Sequence, residues 1–250
     1  MSGHSKWAQI KRQKGVTDVK RGQAFTKLGR EISVAVREGG PNADANPRLR
    51  LAVDRARAAN MPIDTIDRAI KRAAGGPDGA SLDEITYEGY GPGGAALLVE
   101  VLTDNRNRAV AEVRSVFTRA GGSLGEAGCV AWMFDQFGVL TVEADGADTD
   151  DISLQAIDAG AEDVRVDGNI VEVYTAAVDL DKARTALAGQ DANVTGAELA
   201  MVPKTSISLD PKEAAATLRL MERLEDLDDV QKVYTNLEIS EEALAEYEQR

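Results

Sequence analysis

Residues 138–202, GVLTVEADGADTDDISLQAIDAGAEDVRVDGNIVEVYTAAVDLDKARTALAGQDANVTGAELAMV, decide the fold. Strand character at 137–143, 162–166, 169–175 and from 198 onward is separated by helical apolar spacing at 149–160 and 179–189. The order strand, helix, strand, strand, helix, strand is that of a split βαβ, or ferredoxin-like, unit. The flanks repeat the scheme. Strand 95–103, helix 106–120 and strand 129–135 precede the block; a strand near 203–209, helix 211–226 and strand 230–237 follow it. Joined, they form a second βαβ–βαβ set, to which strand 84–90 is added by a hairpin. Residues 137–202 thus read as a domain inserted into a discontinuous α+β domain, 80–136 plus 203–240. The acidic tail, 241–250, reads as a short helix or frayed end with no obvious chemistry.

Upstream the period is helical. Phe25, Leu28, Ile32, Ala35 and Val36 share one face, and Gly39-Gly40-Pro41 stops that helix with a left-handed-tolerant residue followed by a breaker. Leu49, Ala52, Val53 and Ala56 form the stripe of a second helix over 47–59. Ile63, Ile66 and Ile70 form that of a third, ended by Gly75-Gly76-Pro77. The first 20 residues lack a clean apolar period and read as an extended or weakly ordered basic arm. The expected fold class is therefore α+β: an N-terminal basic arm and three-helix domain over 1–79, plus two ferredoxin-like α+β domains, one inserted in the other.

Charge follows the same division. Residues 1–75 hold 16 of the 29 Lys and Arg but only 7 of the 42 Asp and Glu, a net of +9; the rest of the chain carries −22. A concentrated positive segment on an acidic body points to a polyanion, because phosphate charge dominates nucleic-acid affinity. The acidic remainder confines contact to one end. Aromatic residues make up 4% of the chain, so base-stacking platforms are not expected to be the main binding device. No apolar run approaches a bilayer-spanning length and no signal core opens the chain, so no membrane partner is expected and the cytoplasm is the simplest compartment.

Catalytic chemistry finds little support. His4 is the only histidine, which removes imidazole triads and His metal clusters. Cys129, the only cysteine, sits in the apolar stretch 129–134 and reads as a core residue. Gly89-Tyr90-Gly91-Pro92-Gly93-Gly94 joins two strands without a following Lys-Ser/Thr pair, so it reads as a hairpin turn rather than a phosphate loop. The runs Asp145/Asp148/Asp150/Asp151 and Glu225/Asp226/Asp228/Asp229 lack calcium-loop spacing and read as solvated or helix-terminal charge. The expectation is no enzyme, no cofactor, no metal and no small-molecule substrate.

Several motifs carry a family resemblance. Gly3-His4-Ser5-Lys6-Trp7, Lys20-Arg21-Gly22, Phe25-Thr26-Lys27-Leu28, Asn46-Pro47-Arg48-Leu49-Arg50, Asn60-Met61-Pro62, Tyr87 through Gly94 and Thr103-Asp104-Asn105-Arg106-Asn107-Arg108 resemble, in order, motifs of the YebC/PmpR family. The resemblance runs from Gly3 to about Asn236. Two departures stand out: Gly29, mid-helix, at a cost of about 1 kcal/mol, and the loop 41–45, which lacks an Asp-Pro pair. The resemblance implies a three-domain α+β protein and a cytoplasmic regulator of gene expression. Some family members are described as DNA-binding transcriptional regulators. Others resemble ribosome-associated translation factors that assist proline-rich stretches.

The candidate nucleic-acid contacts are Lys6, Lys11, Arg12, Lys14, Lys20, Arg21, Lys27, Arg30, Arg48, Arg50, Arg55, Arg57, Arg68, Lys71, Arg72, Arg106 and Arg108. Ten arginines in the first 75 residues suit phosphate oxygens, which a planar guanidinium grips through two parallel bonds. Three readings stay open: a DNA-binding regulator, an rRNA-binding translation factor on the ribosome, and a protein-interaction adaptor. The motif Thr103–Arg108 either contacts nucleic acid or caps the following helix through Asp104 or Asn105.

Overall fold

Three amphipathic segments form α1 (Asp18–Gly39), α2 (Pro47–Ala58) and α3 (Ile63–Ala74) of the computed structural model, which describes residues 6, 7, 10, 18–75 and 82–249. Leu28, Ile32, Ala35 and Val36 pack with Leu49, Ala52, Val53, Ala56, Met61 and Ile66. The turn between α1 and α2 is built by Asn46. Its side chain accepts the Leu49 N–H at 3.0 Å as the α2 cap and donates to the carbonyls of Ala35 (2.7 Å) and Gly40 (2.9 Å). Gly40 reverses the chain at φ +82°, a conformation that side-chain-bearing residues rarely adopt. Ile63 departs from its expected core role. It lies on the first turn of α3, 65% exposed, and Met61 fills the core there instead.

The chain continues through β1 (Asp83–Tyr90), β2 (Ala96–Thr103), α4 (Arg106–Arg119) and β3 (Ser123–Leu124). Next come β4 (Phe134–Glu143), α5 (Thr149–Asp158), β5 (Asp163–Asp167), β6 (Ile170–Ala176), α6 (Leu180–Ala188) and β7 (Asn193–Pro203). It closes with α7 (Pro211–Glu225), β8 (Val230–Thr235) and α8 (Glu241–Glu248). Two compact units result, Asp135–Val202 and Ser2–Phe134 with Pro203–Arg250.

In the first unit the sheet order is β5-β6-β4-β7, with β6 antiparallel to both β5 and β4. Numbered within the unit, that is 2-3-1-4, the ferredoxin-like arrangement expected of 138–202. Helices α5 and α6 both pack on β6. Leu140, Val142, Val171 and Val173 are buried, as are Ile152, Ala156, Leu180, Ala183 and Leu187.

The other sheet has the order β3-β1-β2-β8 and also pairs antiparallel. Its core joins Leu97, Val99 and Val101 to Val113 and Phe117 of α4 and to Leu218, Met221 and Leu224 of α7. Two strand expectations are corrected here. Residues 129–135 are not a strand: Ala131–Met133 form a 3-10 turn, and Phe134 opens the long β4. The Glu88 carboxylate captures the N–H groups of Gly128, Val130 and Ala131, so these donors never reach a ladder. Nor do residues 203–209 enter the sheet; Ile207 makes only an isolated bridge to Leu237. The hairpin strand β1, in eight-residue register with β2, holds the inner position that a third ferredoxin strand would take.

Both chain ends also differ from their sequence readings. Lys6, Trp7 and Ile10 are helical and Trp7 is fully buried, so this part of the arm is anchored rather than extended. The Trp7 ring meets Tyr247 of α8 edge-on at 5.6 Å. That contact and the Ser240 cap, which accepts the Ala243 N–H at 3.1 Å, make α8 a packed helix and not a frayed tail. His4, Lys11, Arg12, Lys14, Gly76 and Pro77 lie outside the described residues.

One position in α1 carries an avoidable cost. A Cβ added to Gly29 meets nothing within 4 Å. Gly29→Ala should therefore stabilise the protein by about 0.5–1 kcal/mol, read as a higher midpoint in urea unfolding.

Candidate nucleic-acid interface

Lys20, Lys27 and Arg30 of α1 are among the expected nucleic-acid contacts. All three instead meet the acidic run at the end of α7. Lys20 lies 3.8 Å from Glu222 and 3.6 Å from Asp226. Lys27 donates to the Glu225 carbonyl, and the Trp7 indole N–H donates to the Glu225 carboxylate at 3.0 Å. Arg30 reaches the Asp228 carbonyl and Asp229 Oδ1, both at 2.6 Å. The run Glu225/Asp226/Asp228/Asp229 is thus the docking edge for α1, a correction to its reading as solvated charge.

Asp229 is the centre of this edge and is only 4% exposed. Besides Arg30, its carboxylate accepts the Thr103 hydroxyl at 2.8 Å and Arg108 Nη2 at 2.7 Å. Thr103 Oγ1 in turn accepts the Asn105 N–H at 3.0 Å, and Asn105 caps α4 by accepting the Arg108 N–H at 3.1 Å. Arg108 also pairs with Asp104 at 2.7 Å. The Thr103–Arg108 motif therefore has a structural role, with Asn105 as the cap. Burial disfavours the Asp229 anion, but bonds from Arg108 and Thr103 and the nearby Arg30 charge outweigh it and hold the carboxyl below its usual range. The same carboxylates push the Arg108 guanidinium up.

Other candidate cations are also engaged. Arg48 bridges Glu38 (2.5 Å) and Glu84 (2.7 Å), and Arg55 pairs with Glu31 at 2.7 Å. Arg106 pairs with Asp83 at 2.7 Å, and Arg57 lies 3.9 Å from Asp54. Arg50 donates to the carbonyls of Ala43 and Asp44, and Lys6 is half-buried. Arg21 is exposed on α1. On the outer face of α3, Arg68, Lys71 and Arg72 are exposed together. Arg68 bonds only within its own helix, to the Asp64 carbonyl and Thr65 Oγ1, and Lys71 and Arg72 make no ion pair among the described residues. The structure thus separates cations that hold the fold from cations that face outward.

A feature that composition did not reveal lies at the tip of β1. The buried Glu88 carboxylate accepts the N–H groups of Gly128 (2.6 Å), Val130 (2.7 Å) and Ala131 (2.8 Å). Burial opposes its charge, yet the three donors prevail and its pKa is lowered. The loop so fixed carries Trp132, 68% exposed, whose indole N–H donates to the Cys129 carbonyl at 3.2 Å. Tyr90, 37% exposed, donates its hydroxyl to the same oxygen at 3.1 Å. At Gly125 the backbone approaches closely, and a Cβ there would lie 2.5 Å from Cys129 Sγ, so that thiol would have to shift. Cys129 is in this loop rather than in a strand, and burial, together with the Glu88 charge, pushes its thiol pKa up, away from nucleophilic chemistry. Among the described residues no His/Cys/Asp/Glu group could hold a metal ion, and no helix is long and apolar enough to cross a membrane.

The two buried carboxylates make stability pH-dependent. Their pKa values are lowered on folding, so their contribution is present above the unfolded carboxyl pKa of about 4 and is lost as pH falls through the folded values. Asp229→Asn, which leaves Arg30 and Arg108 without their shared anion, should cost about 2–3 kcal/mol at neutral pH. Denaturant unfolding at pH 7, 5 and 3 checks this: the parent loses stability toward pH 3 more steeply than the variant.

Comparison with known proteins fits this architecture. Residues 5–76 match the family model described as the TACO1/YebC protein N-terminal domain. Residues 82–237 match the model described as the TACO1/YebC second and third domain. A Roseiflexus castenholzii protein named "Probable transcriptional regulatory protein" is 55% identical over 99% of both chains. A Trichlorobacter lovleyi protein of the same name is 52% identical, over 96% of this chain and 97% of its own. A crystal structure of a conserved hypothetical protein from Aquifex aeolicus superposes with a TM-score of 0.83 at 43% identity, covering 90% of this chain and 93% of that one. With one model covering the helical module and the other spanning both sheets, this chain belongs to the TACO1/YebC family.

Proposed function

We propose that this chain is a cytoplasmic nucleic-acid-binding regulator of gene expression that grips phosphates through the outer face of α3. The observation that carries the reading is the cluster Arg68, Lys71 and Arg72, exposed on one short helix of a chain whose net charge is −13. Local positive charge that persists in an acidic protein after its internal ion pairs are made is suited to a polyanion. Lys11, Arg12 and Lys14 of the N-terminal segment belong to the set by charge. The "transcriptional regulatory" names of the relatives support the regulatory part of the reading.

A second reading, an rRNA-binding translation factor on the ribosome, is favoured by the chemistry of the same face. Helix α3 presents Arg and Lys with Asp64 and Asp67 but no Asn or Gln, the side chains that pair with adenine edges in a major groove. Such a face positions a backbone more readily than it reads a sequence, and structured RNA is recognised largely by shape and phosphate. Crosslinking in cells separates the two: recovered promoter DNA supports the first, recovered rRNA the second. The adaptor reading needs neither.

The charge test should use outward cations only. Neutralising Arg30, Arg48 or Arg55 would break ion pairs within the fold and confound binding with stability. The triple variant Arg68→Gln, Lys71→Gln, Arg72→Gln should fold as the parent does and lose roughly tenfold or more in affinity for duplex DNA or rRNA fragments at low salt. Unchanged affinity for both would remove the phosphate-binding role of α3.

A further inference from the structure

We propose that the outer face of α5, in the unit Asp135–Val202, docks a basic amphipathic segment of a partner protein. The inference does not rest on the phosphate-binding reading of α3. It concerns a different element and a partner of opposite charge.

Helical spacing sorts α5 into two faces. Ile152 and Ala156 turn inward and are buried. Leu154 and Ile157, three residues apart, share the opposite face and are 62% and 57% exposed. Polar residues would hold the helix as well at both positions, so its own stability does not call for large apolar side chains there. Val178, 90% exposed in the turn into α6, adds a third. It lies toward the end of the sheet at which α5 finishes, because α5 leads directly to Glu162, whose N–H bonds the Tyr174 carbonyl at 2.7 Å. Exposed apolar side chains grouped on one face, rather than scattered, mark an interaction surface.

Charge identifies the occupant. Residues 135–202 hold 15 Asp and Glu against 3 Lys and Arg, a net of −12 in a chain whose total is −13. Asp150, Asp151 and Asp158 border Leu154 and Ile157 on the outer face of α5, Glu162 follows its end, and Asp179 adjoins Val178. All five are exposed, and none makes an ion pair with a described residue. Of the unit's three cations, Arg165 and Arg184 are taken by Asp163 and Asp181, both at 2.9 Å. Asp150 and Asp151 suit the positive end of the helix dipole. Asp158 does not: it sits in the last turn, where the dipole disfavours an anion and no basic residue accompanies it. An apolar strip ringed by carboxylates complements Leu or Ile anchors flanked by Lys or Arg. Nucleic acid, an anionic lipid surface and a second copy of this unit would each bring like charge to this face and be repelled.

A designed peptide tests the face. A labelled helix of about 16 residues, with Leu at i, i+3, i+4 and i+7 spacing and Lys elsewhere, is titrated with the full chain and followed by fluorescence anisotropy. A scrambled peptide of the same composition keeps the charge but loses the apolar stripe. The patterned peptide should bind roughly tenfold more tightly than the scrambled one, with affinity that falls as salt rises to about 0.15 M. Leu154→Ala combined with Ile157→Ala suits an exposed helix and should leave thermal unfolding unchanged, yet should erase the preference for the patterned peptide. Asp150→Asn, Asp151→Asn and Asp158→Asn together should weaken both peptides and flatten the salt dependence. The α3 triple variant should bind the patterned peptide as the parent does, so failure of one idea leaves the other standing. Equal affinity for the two peptides, an undiminished preference in the Leu154/Ile157 variant, or self-association of the parent that this variant abolishes overturns the proposal.

Discussion

The Asp229 carboxylate draws three distant parts of the chain to one point. Arg30 comes from the helical module, Thr103 and Arg108 come from the end of β2 and the first turn of α4, and Asp229 itself precedes β8. A buried carboxylate is costly unless its lone pairs are filled by charged or well-placed donors, and here they are. The Leu102 N–H bonds the Asp229 carbonyl at 2.8 Å, so backbone and side chain fix the same residue from both ends. Without that residue, β2, α4 and α1 would each lose a partner, although α1 would keep its contacts with Glu222, Glu225 and Asp226 along that edge.

This arrangement changes the meaning of the charge split. The positive module and the acidic body are not simply two ends of opposite sign. The acidic run at the end of α7 and before β8 consumes Lys20, Lys27 and Arg30, while Glu84 and Asp83 of β1 take Arg48 and Arg106. What is left over is a smaller and better-defined positive face on α3. Those pairs that are exposed, as at Lys20 and Arg106, contribute little individually to stability, unlike Arg30 on the buried Asp229. Their main effect is to choose which cations remain available, and the proposed function depends on that choice.

Local patterns were legible where local physics decides. The stripes Leu28/Ile32/Ala35 and Leu49/Ala52/Val53, the stop at Gly40, and the element order of 138–202 all follow from periodicity and turn chemistry. Long-range partners were not. Trp7 looked like part of an open arm because its aromatic partner, Tyr247, lies at the other end of the chain. The apolar run after Cys129 resembled a strand because nothing within it shows that Glu88, 42 residues before Val130, takes its N–H groups. Likewise, arginines on a helix face cannot be sorted by periodicity into those that meet a carboxylate and those that meet water. That sorting is a property of the tertiary fold.

The α1 ion pairs also have a thermodynamic consequence for any polyanion that docks nearby. A lone cation meeting nucleic acid displaces condensed small ions, and their release into solution drives binding and makes it salt-sensitive. Lys20 and Arg30 already hold carboxylates as fixed counterions. Recruiting them would exchange one bound anion for another and liberate no extra salt. The ionic-strength slope of binding, about −0.9 for each phosphate neutralised on duplex DNA, would therefore count only the outward cations. A protein with 16 basic residues in its first 75 would behave, in salt, like one with far fewer.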